Sequence, residues 1–219
     1  MEKWIGVVGG VGPFAGIDLL NKIAAQTVAD KDQDHLTVLN WSQPDQIVDR
    51  TEFLLGQVAQ NPAIALAAQV KQLAKMGAGV VGIPCNTAHA PRIFNQIRAE
   101  LAAASCDILL LHMIEEVGRF LHSNLPDVRK IGVLSTTGTY RAGVYADVLQ
   151  PLGFTAVLPP LTLQTVKINP TIQFTVSKRA VSLPSRCRKI CCWASTRSKT
   201  PGLKRSFWAA PNCRWPTMI

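Results

Sequence analysis

Three times along the sequence, a short apolar run passes through a small polar turn into a stretch with helical periodicity. The apolar runs cover residues 4–9, 80–83 and 131–134, and the turns that follow lie near residues 10, 85 and 137. A strand, a turn and a helix in that order form the repeating unit of a parallel α/β sheet, with the turns at the carboxyl edge where ligands bind. The sequence therefore predicts an α/β fold of two similar doubly wound parallel-sheet lobes, the second of them incomplete.

The distribution of charge divides the chain into parts of different character. The 219 residues carry a net charge of +9, but residues 1–168 hold 13 Lys and Arg against 14 Asp and Glu. The last 51 residues hold 10 Lys and Arg, no acidic residue and four of the six Cys. We therefore expect an N-terminal α/β lobe over residues 1–112, a partial second lobe over 113–168, and a basic, poorly ordered tail over 169–219.

Apolar segments give an expectation about location. No uncharged apolar stretch reaches the roughly 18 residues that a membrane-spanning helix needs. The first strand begins without a basic leader. These features favour a soluble, cytoplasmic protein.

The turn after the second apolar run carries a cysteine, Cys85, followed by Asn86 and Thr87. A thiol at a strand-to-helix turn lies near the free N–H groups of the helix, which favour the reactive thiolate. The short polar side chains and backbone donors that follow could hold a carboxylate. The alternative is a buried structural cysteine beside ordinary capping residues.

The turn after the first strand is rich in glycine and contains Gly10. Residues 10–15 fit only a relaxed form of the dinucleotide fingerprint, and no acidic residue ends the next apolar run at 36–41. Both observations argue against a nucleotide site. They favour a turn that shapes the pocket of another small polar ligand.

A polar segment over residues 46–51 is predicted to be a loop between two ordered segments, and it contains Asp49 and Arg50. Arg50 could bind a substrate carboxylate through a bidentate contact, with Asp49 orienting it. The alternative is a solvated surface pair. Asn61 and Pro62 then predict a capped helix that runs to Met76.

The third turn, at residues 135–139, is rich in hydroxyl groups and includes Thr136 and Thr137. A hydroxyl-rich turn at a helix start binds anions well, although Thr residues there are also common caps. The following helix is predicted to reach about Leu149. Two histidines, His89 and His112, could act as acid–base groups, but structural roles are favoured for both.

These motifs together resemble the aspartate/glutamate racemase family. The resemblance covers about residues 3–160 and is carried by four motifs in the same order as in the family, namely residues 9–13, 49–51, 84–89 and 136–139 with 143–145. It implies two similar α/β domains with the active site between them, and commonly a homodimer. A cysteine rather than a threonine at position 85 makes this motif similar to that of the aspartate racemase branch of the family.

Racemisation removes a weakly acidic Cα proton from one face and returns a proton to the other, which requires acid–base groups on both sides of the carbon. The resemblance implies that Cys85 is one of two thiols that do this for aspartate or glutamate. It also implies that Arg50 and the donors around Asn86, Thr87, Thr136 and Thr137 hold the carboxylates. No metal or pyridoxal cofactor is implied.

The resemblance breaks in the second half. Relatives carry the second thiol in a Gly-Cys-Thr-Glu motif, which these 219 residues lack. Read from the third base of the Trp208 codon, the degenerate codons for residues 208–216 permit that motif. We therefore infer a change of reading frame near residues 168–172, and we expect racemisation to be impaired. Cys187, Cys191, Cys192 and Cys213 are not expected to substitute for the missing thiol.

Two other functions stay open at this point. The basic tail could bind polyanions such as nucleic acid, without sequence specificity. Alternatively, Cys85 could be the nucleophile of an amidase with His89 as its base. The second alternative is weaker, because His89 lies only four residues away and no third orienting group is evident.

Overall fold

A computed structural model describes residues 4–176 of the chain. The described residues divide into two compact units, with the boundary between Met113 and Ile114. Each unit contains a parallel sheet. The α/β fold in two lobes that the sequence predicts is therefore confirmed.

The first unit is built on a four-stranded parallel sheet in the order β2-β1-β3-β4. Its strands are β1 (Trp4–Gly9), β2 (Val38–Ser42), β3 (Ala78–Gly82) and β4 (Leu109–Leu110). In the central strand β1, Ile5 pairs with Val38 on one side and Val80 on the other. Val7 and Val8 have no solvent exposure, as expected for an apolar strand covered on both faces.

Four α-helices accompany this sheet, namely α1 (Pro13–Gln26), α2 (Arg50–Leu54), α3 (Ala63–Lys75) and α4 (Pro91–Ala103). Short 3₁₀ helices cover Asp32–Asp34, Pro44–Gln46 and Asn86–His89. Proline opens α1 and α4, where its missing N–H leaves no partner unsatisfied. The expected cap before α3 is present, since the Asn61 side chain accepts a hydrogen bond from the Ala63 N–H at 3.0 Å.

The core of the first unit joins strands β1 and β3 to helices α2, α3 and α4. Its fully buried members include Val8, Leu66, Val70, Val81 and Ile93. Cys85 belongs to the same buried cluster. The cysteine therefore lies where the core meets the carboxyl edge of the sheet.

The second unit contains a two-stranded parallel sheet of β5 (Lys130–Gly132) and β6 (Thr155–Val157). Helix α5 (Met113–Asn124) precedes it, and α6 (Thr137–Arg141) and α7 (Val144–Leu149) lie between its strands. After a 3₁₀ turn at Gln150–Leu152 and strand β6 come α8 (Leu161–Leu163), a π-helix (Gln164–Ile168) and α9 (Asn169–Val176).

Two expectations about the second unit are corrected. The helix predicted to reach Leu149 divides at Gly143, whose φ of 66° lies in the left-handed region that glycine tolerates. The expectation of a poorly ordered tail from residue 169 is wrong for Asn169–Val176, which forms α9. Residues 177–219, with Cys187, Cys191, Cys192 and Cys213, lie outside the described residues.

Within residues 4–176, no helix is both long enough and apolar enough to cross a membrane.

Candidate active site

The order of strands in the first unit defines where a ligand can bind. From β1 the chain continues to β2 on one side, whereas β3 lies on the other side of β1. The crevice between the carboxyl ends of β1 and β3 is therefore a topological switch point, the usual ligand site of open α/β sheets. Gly10 follows β1 and Cys85 follows β3, so both turns flank this crevice.

Gly10 fits its position for steric and conformational reasons. Its φ is 83°, and a Cβ atom there would lie 2.9 Å from the Pro44 nitrogen and 3.1 Å from the Gln43 nitrogen. Any side chain would collide with the backbone that leaves β2. The absence of a side chain lets the turn after β1 approach the backbone that follows β2 closely.

The backbone of Cys85 is hydrogen-bonded on both sides. Its N–H donates to the Ile83 carbonyl at 2.8 Å, and its carbonyl accepts from the Ala88 N–H at 3.2 Å. The side-chain Nδ1 of His89 lies 2.8 Å from the same carbonyl oxygen. The residue is 7% exposed. The thiol is therefore carried by a tightly bonded turn that opens the Asn86–His89 helix.

Asn86 and Thr87 occupy the first turn of that short helix. Thr87 is buried, with 5% exposure, and Asn86 is half-buried. Both residues interact with other groups of the protein. Their predicted part in holding a substrate carboxylate stays a prediction.

Asp49 is the N-cap of helix α2. Its Oδ1 accepts hydrogen bonds from the Thr51 N–H at 2.7 Å and the Glu52 N–H at 2.9 Å. The expectation that Arg50 lies in a polar loop is wrong, because this cap starts a helix at Arg50. A helix of one and a half turns is too short to produce a recognisable periodicity. Asp49 thus fixes the backbone of Arg50.

Helix α2, which begins at Arg50, packs against the Asn86–His89 helix that follows Cys85. Within the described part of the chain, the buried Nε of Arg50 has no hydrogen-bond partner. A buried donor without an acceptor is unfavourable by about 1–3 kcal/mol. An anionic ligand would supply the missing acceptor.

His89 lies beneath the Cys85 turn with almost no solvent exposure, at 1%. Its ring stacks on Phe94 at 5.1 Å between ring centroids, and the His112 ring meets it edge-on at 4.7 Å. Burial, helped by the charge of His112, lowers the pKa of His89 to about 4. Sequence reasoning missed this cluster, because its rings come from separate segments of the chain.

The hydrogen bond of His89 also bears on the amidase alternative. Nδ1 already faces the Cys85 carbonyl, and the lowered pKa makes the ring a weak base. Nε2 is buried without a hydrogen-bond partner among the described residues. A nucleophile's base needs a nitrogen within reach of the thiol proton. The structure therefore argues against His89 as the base of a cysteine amidase and places it in a structural contact.

Thr136 and Thr137 lie in the second unit, after strand β5. Thr136 caps α6, with its side chain near the Thr139 N–H at 3.5 Å. The Thr137 N–H donates to the Asn169 side chain at 2.9 Å. Thr136 therefore acts as a helix cap, which is one of the two roles predicted for this turn. The other predicted site residues follow strands at the carboxyl edge of the first sheet. They are the predicted catalytic residue Cys85 and the predicted ligands Gly10, Asp49, Arg50, Asn86 and Thr87.

This geometry defines a parallel α/β protein with a cysteine at the switch point of its first sheet. More narrowly, the chain belongs to the Asp/Glu/hydantoin racemase family, whose model matches residues 8–181. The racemase resemblance read from the sequence is thereby confirmed. The family is one of isomerases.

Solved structures of racemases share the fold. An aspartate racemase from Picrophilus torridus is 24% identical with a TM-score of 0.70, over 86% of this chain and 72% of that one. A putative Asp/Glu racemase from Yersinia pestis is 20% identical with a TM-score of 0.70, over 95% and 85%. A glutamate racemase from Francisella tularensis in complex with D-glutamate is 15% identical with a TM-score of 0.57, over 95% and 68%.

Proposed function

We propose that this protein is an amino-acid racemase of the aspartate/glutamate type in which Cys85 transfers the Cα proton on one face of the substrate. The observation that carries the proposal is the position of Cys85 at the switch point, within the segment that matches the racemase family. Two proteins of similar structure are an aspartate racemase and a glutamate racemase in complex with D-glutamate. This similarity supports a dicarboxylic amino acid as the substrate.

Arg50 is proposed to bind a carboxylate of that amino acid. Its buried Nε lacks an acceptor in the described residues, and its backbone is fixed by the Asp49 cap. A carboxylate would accept from the guanidinium in a bidentate geometry. Gly10 is proposed to shape the edge of the pocket by letting the backbone pack closely there, and Asn86 and Thr87 are proposed to contribute donors. Thr136 and Thr137 are proposed to act from the second unit.

The proton transfer needs no cofactor in this proposal. The Cys85 thiolate takes the proton from Cα, and nearby donors stabilise the charge that develops on the substrate carboxylate. A second acid on the opposite face must then supply a proton to invert the carbon. These 219 residues lack the Gly-Cys-Thr-Glu motif of relatives, so we propose that full inversion is impaired. A homodimer is proposed as the assembly.

An isotope experiment tests this function. The protein is incubated with each enantiomer of aspartate and glutamate in deuterated water, and Cα deuterium and enantiomeric purity are measured. Cys85 acting alone returns a deuteron to the face it deprotonated, so deuterium is expected without inversion. Cys85→Ser should abolish the exchange, whereas Cys106→Ser, the matched control in the same unit, should retain it.

Two outcomes would contradict the proposal. Rapid racemisation would show that a second acid–base group is present, and the impairment would be wrong. The absence of deuterium exchange with all four amino acids would show that Cys85 does not act on this substrate class.

A further inference from the structure

Two buried histidines lie close to the Cys85 turn, and the proposed proton transfer to the substrate does not use them. His89 and His112 are 1% and 7% exposed. Each has a ring nitrogen directed at a backbone carbonyl, at 2.8 Å from the Cys85 oxygen and 3.3 Å from the His89 oxygen respectively. The two contacts form a chain from His112 through His89 to the residue that carries the thiol.

We infer that His89 is a positioning residue for Cys85: its ring, protonated at Nδ1 and neutral, fixes the Cys85 carbonyl and so determines where the thiol lies. This inference rests on the proposed function of Cys85. A carbonyl oxygen only accepts hydrogen bonds, so the nitrogen facing it must carry the proton. Neutral His89 is therefore the Nδ1–H tautomer, with a bare Nε2.

The surroundings of the ring favour this single state. The Leu111 backbone also interacts with the ring, but Nε2 is buried and makes no well-aligned hydrogen bond among the described residues, so the 2.8 Å contact of Nδ1 with the Cys85 carbonyl is the stronger of the two. Phe94 covers one ring face and His112 meets the ring from the segment after β4. The charge of His112 opposes a positive charge on His89.

The consequence for Cys85 follows from the backbone contacts. Its carbonyl accepts two hydrogen bonds, from the Ala88 N–H and from His89, and its own N–H is bonded to Ile83. The side-chain donor is the one that ties this turn to the buried ring cluster. Without it the turn could rotate, and a displacement of about 1 Å at a reacting group lowers a rate by roughly a hundredfold.

Two substitutions separate the hydrogen bond from simple packing. His89→Asn places an amide N–H close to the position of Nδ1, whereas His89→Leu keeps apolar volume and removes the donor. We expect His89→Leu to lower the maximal rate of Cα deuterium exchange by about tenfold to a hundredfold with unchanged KM. His89→Asn should restore most of the rate. His35→Asn, at an exposed histidine of the same unit, is the matched control.

A second measurement does not depend on turnover. Alkylation of the Cys85 peptide by iodoacetamide is followed by mass spectrometry as a function of pH. His89→Leu should alkylate faster than the unmodified chain because the buried thiol is released, and His89→Asn should resemble the unmodified chain. If the chain exchanges no Cα proton but alkylation follows this order, the proposed function fails and the positioning role stands.

Three results would overturn the inference. One is identical alkylation rates and pH profiles in His89→Leu and the unmodified chain. Another is equal loss in both His89 variants, which would indicate packing alone. The third comes from nitrogen-15 NMR of the unmodified full chain at neutral pH: a His89 signal protonated at Nε2 and bare at Nδ1 would exclude the donor, whereas the Nδ1–H tautomer supports it.

Discussion

Acid should destabilise this protein through His89, and the size of the effect follows from its burial. The pKa falls from 6.5 to about 4 in the folded state, because burial and the charge of His112 disfavour the imidazolium. Between these pH values the unfolded chain binds more protons than the folded one, so the free energy of unfolding decreases as pH falls. Above 6.5 both states are neutral at this residue and there is no effect.

The shift amounts to about 3 kcal/mol of stability, at about 1.36 kcal/mol per pKa unit, lost between pH 6.5 and 4 and constant below. His89→Asn removes the titrating group. The difference in unfolding free energy between the unmodified chain and this variant should therefore decrease by that amount across the window. Titrating groups other than His112, which interacts directly with His89, are common to both proteins and cancel.

Urea unfolding followed by circular dichroism at several pH values measures this difference. His35→Asn is the control, because an exposed histidine has no comparable burial and its variant should follow the unmodified chain. A difference between the unmodified chain and His89→Asn that stays flat from pH 6.5 to 4 would refute the reasoning.

The remaining predictions concern the edge of the first sheet and the tail. Arg50→Met should raise KM for Cα exchange by about tenfold to a hundredfold, because a charge-assisted hydrogen bond contributes roughly 1.5–3 kcal/mol; an unchanged KM would exclude Arg50 from carboxylate binding. Gly10→Ala should destabilise the fold more than Gly56→Ala in urea unfolding, since both have positive φ but only Gly10 has backbone within 4 Å of the added Cβ; equal losses would contradict the proposed steric restriction. Asp49→Ala should cost about 1 kcal/mol in the same assay through loss of the α2 cap, and no loss would mean that water replaces it. Deletion of residues 177–219 should abolish salt-sensitive heparin binding, and binding that survives would assign it to the rest of the chain.

The sequence predicted the elements that are marked by strong local signals. The apolar run Trp4–Gly9 is a strand with the expected ends, and Asn61 caps the helix that follows it. These features depend on periodicity and on single residues with strong backbone preferences. Short elements escaped prediction, as helix α2 shows, because its five residues depend on the Asp49 cap and on packing.

The candidate site was predicted in part for a similar reason. Cys85 and Gly10 were recognisable because each stands in a turn directly after a strand. The roles of the histidines were not, since a ring environment made by Phe94, His89 and His112 depends on contacts between distant segments. The polar interior of the second unit, where the Gln164 side chain donates to the Ser135 carbonyl at 2.8 Å, gave no sequence signal either.

All strands of the first sheet, together with Cys85 and its two buried histidines, come from residues 4–112. A growing chain thus releases this half before the other has been synthesised, and domains generally fold in that order. Changes confined to later codons would then alter the catalytic activity of the protein without preventing the first unit from folding. Catalysis and solubility could be lost separately in evolution.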